Sequence, residues 1–568
     1  MTTLLDHAFM AGMACLDARS TLLDDINVYP VADGDTGVNL RISLGPLRSC
    51  VGQRAALAES LLQSATGNSG NIAVAFFREF IQADSSAELA ACADIGRRKA
   101  WLAVADPQHG TILDVFDRLA LVLDAVPIDR QHCGAILDAL QEEVRTTAEI
   151  LPHHREAGVV DAGALGMYLF FDGFFRSLTL LQSEQRSLFA IFDGLLKRNE
   201  NSRQEAASSV GYCVEALLKT TAGTVVDQRM SVGFGDSVVA QAGEGQLKLH
   251  VHTSDPVALR EKMSGMGEIL FWSHESLASR PPVAKSMVGD PCIHIMTDAA
   301  GSLTRTLASA HQISLLDSYV VIDGRSWPET LCDPDDIYLK MRRGTRVTTA
   351  QASNFARQQL YQGVCEQYGD TLYLVVGSSF TGNYGVASAW MTTAAGGSRL
   401  HLVDTGAASG RLAVIALQVA RYAGRTSDRE EVIAYAEKMA ESCREYVFID
   451  TLQYLVNGGR VSRASGFFGE LLHLKPVISP TREGVKKVGM VRNQKAQLEF
   501  LKAKLAEETT APAGSMLLLQ YSDNRQWVSN ELHAMVHEWL PDVEILVQPL
   551  SLTSGVHMGP GTWAVAFG

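Results

Sequence analysis

Asp33 and Asp35 stand on either side of Gly34 in the string NVYPVADGDTGVNL, residues 27–40. With Gly37 also close by, they make a tight loop whose carboxylate oxygens can converge on one hard cation. Mg²⁺ takes one or two carboxylates and completes its shell with waters and substrate phosphates, where it neutralises charge between transferring phosphates. By itself DGDTG fits a calcium-like loop or a solvated turn equally well. A second string, TGNSGN (66–71), lies between helical stretches and places small residues and unpaired N–H groups at a helix start, a natural anion site. A third, VVDAGALGM (159–167), has the same glycine-rich, close-approach character. No GxxxxGK[ST] string is present, so phosphate handling here is not that of a P-loop.

Two imidazoles form the next candidate. In QLKLHVHT (246–253) the alternation of Leu247, Leu249 and Val251 sends Lys248, His250 and His252 to the opposite face of one strand. Histidines at i and i+2 can share a metal, and they can equally be solvated or structural.

These motifs need elements to carry them. At 568 residues the chain exceeds a single hydrophobic core and is expected to be multidomain. Up to about residue 190 the apolar residues recur with helical spacing; Leu137, Leu140 and Val144 fall on one face, and the region reads as nearly all helix. KRNENSRQEAASS (197–209) reads as a linker. From Val210 to about Glu275 the pattern shifts to strands, with Gly243, Glu244 and Gly245 as a hairpin turn, and predicts a small α/β unit. After ASRPPVAKSMVGD, buried strands (TLYLVVG, SRLHLVD, EYVFID, SMLLLQYSD, VEILVQPL, WAVAFG) alternate with helical stretches such as RLAVIALQVARYAG, which predicts a layered α/β fold. The expected domains are 1–195, 208–280 and 291–568.

Composition narrows the partners. Apolar residues at 46% and charged ones at 20% are ordinary for a folded soluble chain. A net charge of −14 and the lack of a basic tract argue against nucleic acid. The chain opens MTTLLDHAFMAGMACLDARS, without a secretory pattern, and has no apolar stretch long enough to span a bilayer. Any membrane contact is expected to be peripheral. Nine cysteines, none spaced CxxC, fit a reducing cytoplasm.

NVYPVADGDTG, GNSG and VVDAGALG, in this order over the first 190 residues, resemble the dihydroxyacetone kinase L-subunit family, a closed helical barrel that binds Mg·ADP at its rim. More closely, they resemble the ATP-binding component of bacterial fatty acid kinase. The resemblance implies that Asp33 and Asp35 ligate Mg²⁺. Thr36, Asn39, Gly67, Asn68, Ser69, Asp161 and Gly163 would then surround the ATP. L-subunits carry a further Asp where Val28 stands; Asn27, one residue away, is the substitute third ligand. The middle domain of fatty acid kinase pairs a strand like QLKLHVHT with a cysteine resembling Cys213 in GYCVE. That likeness implies a Zn²⁺ site of Cys213, His250 and His252, with an open fourth position of the kind associated with catalysis.

Across 291–568, MTDAAGSL, TTAQAS (348–353), GSSFTGNYGVA (377–387), NGGRVSR (457–463) leading into LLHLKPVISP, and HMGPGTWAVAFG occur in the order of the DegV family of fatty-acid-binding proteins. A buried fatty acid needs an apolar slot and a few polar groups for its carboxylate. Thr349, Ser378 or Ser379, Arg460 and His557 are the matching candidates. Ala299, Ala350, Ala352 and Asn383 depart from the family pattern, at positions that bear on the acyl or head-group preference.

Joined, the two ends imply a fatty acid kinase-like reaction: ATP and a fatty acid give an acyl phosphate and ADP. The carboxylate is already ionised at neutral pH and needs no general base, so Mg²⁺, Arg460 and His557 would screen the two anions. The resemblance also implies a homodimer, with transfer inside one chain or across the pair, and a peripheral encounter with a membrane acyltransferase. Two rivals differ in class: a lipid-binding or sensing module with a vestigial kinase part, and a small-polyol (glycerone-type) kinase.

Overall fold

The computed structural model describes residues 3–49, 54–181, 187–197, 211–220, 234–243, 245–276, 291–451, 453–457, 475–508 and 515–568. The expected linker at 197–209 lies, apart from Lys197, outside them. Two compact units divide the chain, Met1–Pro282 and Val283–Gly568.

In the first unit the helical period is realised as α1 (Leu4–Ala18), α2 (Ser20–Asp25), α3 (Thr36–Ser43), α4 (Arg54–Ser64), α5 (Gly67–Phe80), α6 (Leu89–Ala103), α7 (Ile112–Ala125), α8 (Cys133–Ile150), α9 (Pro152–Ala157) and α10 (Ala162–Leu178). Leu137, Leu140 and Val144 are all buried on α8. Starts are set by capping chemistry: Thr3 with Asp6 on α1, and Thr111 with Asp114 on α7, form capping boxes that satisfy otherwise orphaned N–H groups. The core is aromatic. Phe76 stacks on Phe116 with centroids 4.1 Å apart, and Phe9, Phe77, Phe80, Phe170, Phe171 and Phe174 complete the cluster. Helices α1 and α10 touch closely because a Cβ on Gly12 would fall 2.8 Å from the Phe170 carbonyl oxygen, and one on Gly173 would fall 2.6 Å from that of Ala11.

The same unit continues into an antiparallel sheet of β1 (Tyr212–Lys219), β2 (Asp236–Gly243), β3 (Gln246–Thr253) and β4 (Glu268–Ser276), ordered β2-β3-β1-β4. Val214, Ala216, Leu218, Leu247, Leu249 and Val251 make its apolar face, together with Leu259 and Met263 of the helix Pro256–Ser264. The opposite face is polar yet not solvated. Glu215, Gln241, Lys248, His250 and His252 are all buried there. What covers it is the helical part of the unit: Gln241 Nε2 donates to the Asn71 carbonyl at 2.6 Å, Arg78 donates to the Ala242 carbonyl at 2.9 Å, and Ala105 N–H donates to the Val238 carbonyl at 3.1 Å.

The second unit holds a parallel sheet ordered Leu400–Asp404, Thr371–Val375, His294–Asp298, Ile313–Leu316. A six-stranded mixed sheet runs Gly484–Val491, Lys475–Thr481, Arg444–Phe448, Trp563–Phe567, Met516–Tyr521, Glu544–Pro549. The apolar helix Ser409–Ala423 packs on strands of both sheets. A smaller antiparallel sheet comprises Arg325–Pro328, Ser318–Ile322 and Val347–Gln351. Every strand anticipated from the buried runs is present, since such runs flanked by breakers leave few alternatives. No helix among the described residues is long and apolar enough to cross a membrane.

Candidate functional site

The three glycine-rich strings come together in the first unit. The chain leaves α2 through Asn27, Val28, Tyr29 and Pro30, with a cis Tyr29–Pro30 bond, and turns at Gly34 (φ +69°) into α3. Asn27 is buried, and its Nδ2 donates to Asp33 Oδ1 at 2.9 Å. Asp35 is the N-cap residue of α3 but makes no side-chain capping bond. That task falls to Asp24, whose Oδ1 accepts the Gly37 and Val38 N–H groups at 2.7 and 3.1 Å. Gly37 is obligatory because a Cβ there would lie 2.0 Å from the Ser20 carbonyl oxygen.

The TGNSGN loop lies against α3. A Cβ on Gly67 (φ +65°) would meet Asn39 Nδ2 at 2.0 Å, and one on Gly70 would meet Ser43 Oγ at 2.1 Å. Ser43 Oγ in turn accepts the Thr66 N–H at 3.0 Å. Asn68 and Ser69 are half-buried on the first turn of α5, and Thr36 is buried on the first turn of α3. VVDAGALGM closes the group: Asp161 caps α10 by accepting the Ala164 N–H at 2.7 Å, and a Cβ on Gly163 would lie 3.4 Å from Ser69 Oγ. Burial pushes the Asp161 carboxyl above its usual range against the pull of His154, whose Nε2 is 3.5 Å from Oδ2. Tyr29 contacts the His154 ring at 5.9 Å. The start of α5 thus packs on α3, which opens at Asp35, and the start of α10 packs on that of α5, an arrangement of helix N-termini and carboxylates suited to phosphates with a divalent cation.

Against the start of α5, at Gly67 and Asn71, lies the polar face of the small sheet. Cys213 pairs with His252 and Glu215 with His250 across β1 and β3. The donor atoms of Cys213, His250 and His252 lie within 4.8 Å of one another. His250 Nδ1 stands 2.8 Å from Glu215 Oε1, and the other ring nitrogen, Nε2, is buried without a hydrogen-bond partner. A cysteine sulfur and two imidazoles, one with a ring nitrogen pinned by a carboxylate, fit a zinc-type ion. Burial opposes ionisation of Glu215, but His250 and Lys248 outweigh it and hold the carboxyl below its ordinary range. Glu215 was missed in the sequence. The alternation applied to QLKLHVHT, if extended to GYCVEALL, puts Glu215 on the face of Cys213.

In the second unit, Thr349 Oγ1 and His557 Nε2 are 3.0 Å apart, one on the strand Val347–Gln351 and the other on the helix Leu552–Met558. Ser378 and Ser379 are exposed in the turn after Thr371–Val375, where Asp404 Oδ1 accepts the Ser378 N–H at 3.1 Å. This turn lies at the carboxyl end of the parallel sheet, the edge at which open α/β sheets bind ligands. The structure joins Thr349 to His557. Arg460 lies outside the described residues. Beneath the edge is buried Asp298, which accepts from Tyr373 OH (2.8 Å), Val376 N–H (2.7 Å) and Asn383 Nδ2 (2.6 Å). Asn383 Oδ1 accepts from Arg357 at 2.6 Å. An amide at 383 therefore bridges a carboxylate and a guanidinium, which gives that departure from the family pattern a physical reason.

Glu329 anchors the helix that carries His557, its two oxygens accepting the Thr553 N–H at 2.8 Å and the Thr553 hydroxyl at 2.9 Å. Burial, opposed by those bonds, pushes its carboxyl up to about 7. A carboxyl raised on folding binds its proton more tightly in the folded state, so stability falls as pH rises from the unfolded value, near 4.5, through about 7. Glu329→Gln should remove that slope, which is worth about 2–3 kcal/mol between pH 5 and pH 8. Denaturant melts at pH 5 and pH 8 check this; equal wild-type and variant slopes would contradict it.

Comparison with known proteins follows the same division. Residues 30–176 match the DAK2 domain, 209–279 the FakA-like middle domain of fatty acid kinase, and 292–568 the DegV family, described as uncharacterised. Protein YloV of Bacillus subtilis is 29% identical over 292 residues, 46% of this chain and 52% of YloV, so the match spans about half of that relative's length. The DegV domain-containing protein TTE1491 of Caldanaerobacter subterraneus is 23% identical over 48% of this chain and 98% of its own. Among solved structures, a DegV family protein of Thermus thermophilus, described by its fatty acid binding, is 27% identical with a TM-score of 0.45, covering 48% of this chain and 98% of that one.

Fold and matches together define a multidomain protein with a kinase-like helical part and a DegV part. More particularly, the order of DAK2, middle and DegV domains matches the fatty acid kinase architecture, here carried in one chain.

Proposed function

We propose that this protein uses ATP to phosphorylate a fatty acid carboxylate, with domains 1–195 for ATP, 208–280 for the zinc-type site and 291–568 for the acyl chain. The observation that carries the reading is the packing of the α5 start on α3, which opens at Asp35, and of the α10 start on Ser69, in a chain that also holds a DegV region. Helices α1 to α10 close as the barrel of this reading. Thr36, Asn39, Gly67, Asn68, Ser69, Asp161 and Gly163 line the nucleotide. Asp33 and Asp35 ligate Mg²⁺; Asn27, whose Nδ2 already donates to Asp33, offers its amide oxygen. Mg²⁺ bound there supplies charge neutralisation between the phosphates.

Thr349 and His557 receive the acyl carboxylate, aided by Ser378 or Ser379 and by Arg460. A carboxylate oxygen forms the new bond to the γ-phosphorus as the bond to the β-bridging oxygen breaks, and the charge leaves on ADP. The nucleophile arrives ionised, so the protein's work is positioning and screening rather than proton removal. Cys213, His250 and His252 hold Zn²⁺ in this reading, which supplies a positive charge beyond Glu215 from the start of α5.

Purified full-length protein incubated with Mg·ATP should release ADP only when oleate is added, and hydroxylamine should trap the acyl phosphate as a hydroxamate. Oleate-independent turnover, or dihydroxyacetone as the better acceptor, would overturn the assignment. Native mass spectrometry followed by lipid extraction tests the acyl part separately.

A further inference from the structure

Glu215 joins two sites with one side chain. Its Oε1 accepts the Gly67 N–H at 2.7 Å and faces Asn71 Nδ2 at 3.4 Å, both on the TGNSGN turn. The same oxygen stands 2.8 Å from His250 Nδ1, and Oε2 lies 3.4 Å from Lys248 Nζ. All these groups are buried, and Lys248 Nζ is further held over the Phe271 ring at 5.5 Å. Charge-assisted hydrogen bonds in such surroundings are strong and directional. The contacts are rigidly framed: Glu215 is directly opposite His250 in the strand register, and Gly67 is pinned from its other side by Asn39. Moving the His250 ring therefore moves the acceptor that fixes the first N–H of α5.

We propose that Glu215 is a positioning residue that couples metal binding at Cys213, His250 and His252 to nucleotide binding at the loop 66–71. This rests on the nucleotide reading of that loop given above. The sign is positive. An ion on His250 immobilises the imidazole, the imidazole holds the carboxylate, and the carboxylate holds Gly67 in the conformation that the phosphates require, so part of the ordering cost is met before the nucleotide arrives. Linkage makes the effect reciprocal.

The test uses the full chain, with Zn²⁺ or Co²⁺ as the metal probe and Mg·ADP as the nucleotide probe. Zinc-loaded protein should bind Mg·ADP at least about fivefold tighter than metal-depleted protein, and Mg·ADP should tighten zinc by the same factor. Glu215→Gln keeps the size but loses the charge; both probes should still bind, with the coupling factor near one. In Co²⁺-loaded wild type, Mg·ADP should shift the visible cobalt spectrum, and in Glu215→Gln it should not, a signature that a purely structural role would not produce. Both probes binding independently in the wild type overturns the proposal, a measurement that needs no variant to fold. Unchanged coupling in Glu215→Gln also overturns it, as does failure to bind metal while Mg·ADP binds. Failure to bind Mg·ADP with or without metal overturns the nucleotide reading itself, and the coupling falls with it.

Discussion

Asp35→Asn should lower oleate-dependent ATP turnover about 10²–10³-fold, while the melting temperature of the protein stays near that of the wild type. The activity loss follows from the charge that the loop must supply. A divalent ion shared between the carboxylates and the phosphates contributes several kcal/mol to the transition state, and each 1.36 kcal/mol is a factor of ten. The small structural cost is expected because the start of α3 is held by another carboxylate. Asp35 is half-buried, caps no helix N–H with its side chain, and leaves the start of α3 in the charge of Asp24. Asp24→Asn is the contrasting variant: it weakens the acceptor of two backbone N–H groups and should lower stability and activity together. Steady-state kinetics across a Mg²⁺ titration separates them, because Asp35→Asn should raise the Mg²⁺ requirement as well as lower the maximum. An Asp35→Asn enzyme with wild-type turnover would remove the loop from the reaction.

The largest stability effect is expected from Asp298→Ala. The carboxylate is almost wholly buried and satisfies a phenol, a backbone N–H and an amide at once. Removing it leaves Tyr373 OH, Val376 N–H and Asn383 Nδ2 without their acceptor, at about 1–3 kcal/mol for each group left unsatisfied. Relaxation recovers part of that, so about 3–5 kcal/mol of the second unit's stability should be lost. The residue also fixes the turn that carries Ser378 and Ser379, through Val376, and a fatty acid should bind more weakly to whatever folded fraction remains. Urea unfolding followed by tryptophan fluorescence measures the first effect and a fluorescent fatty acid the second. Asp298→Asn, which retains one acceptor oxygen, should fall between wild type and Asp298→Ala; equality of all three would mean that the network carries no stability.

Much of this site was legible in the residues. Paired aspartates around Gly34, a small-residue loop and a glycine-rich helix start are local features, and local features determine where a turn forms, where a helix begins and which groups point toward an anion. The strands of the second unit were equally local, since a short apolar run between breakers has few other fates. The polar face of β1 and β3 was half legible: strand alternation puts the histidines on one face, but alternation cannot say what covers that face.

Tertiary structure decided the rest. That Asn27 orients Asp33, that Asp24 rather than Asp35 caps α3, and that Asn383 mediates between Asp298 and Arg357 depend on side chains brought together from separate segments. The same holds for Glu215, which is 148 residues from Gly67 along the chain and one hydrogen bond away in space. By itself the sequence determined the ingredients of phosphate and acyl handling, because backbone conformation and strand alternation act over a few residues. That Asp33 takes the Asn27 amide, that Asp24 holds the start of α3 and that Glu215 reaches both Gly67 and His250 was decided by packing, because a buried charge must find its partners wherever the fold places them.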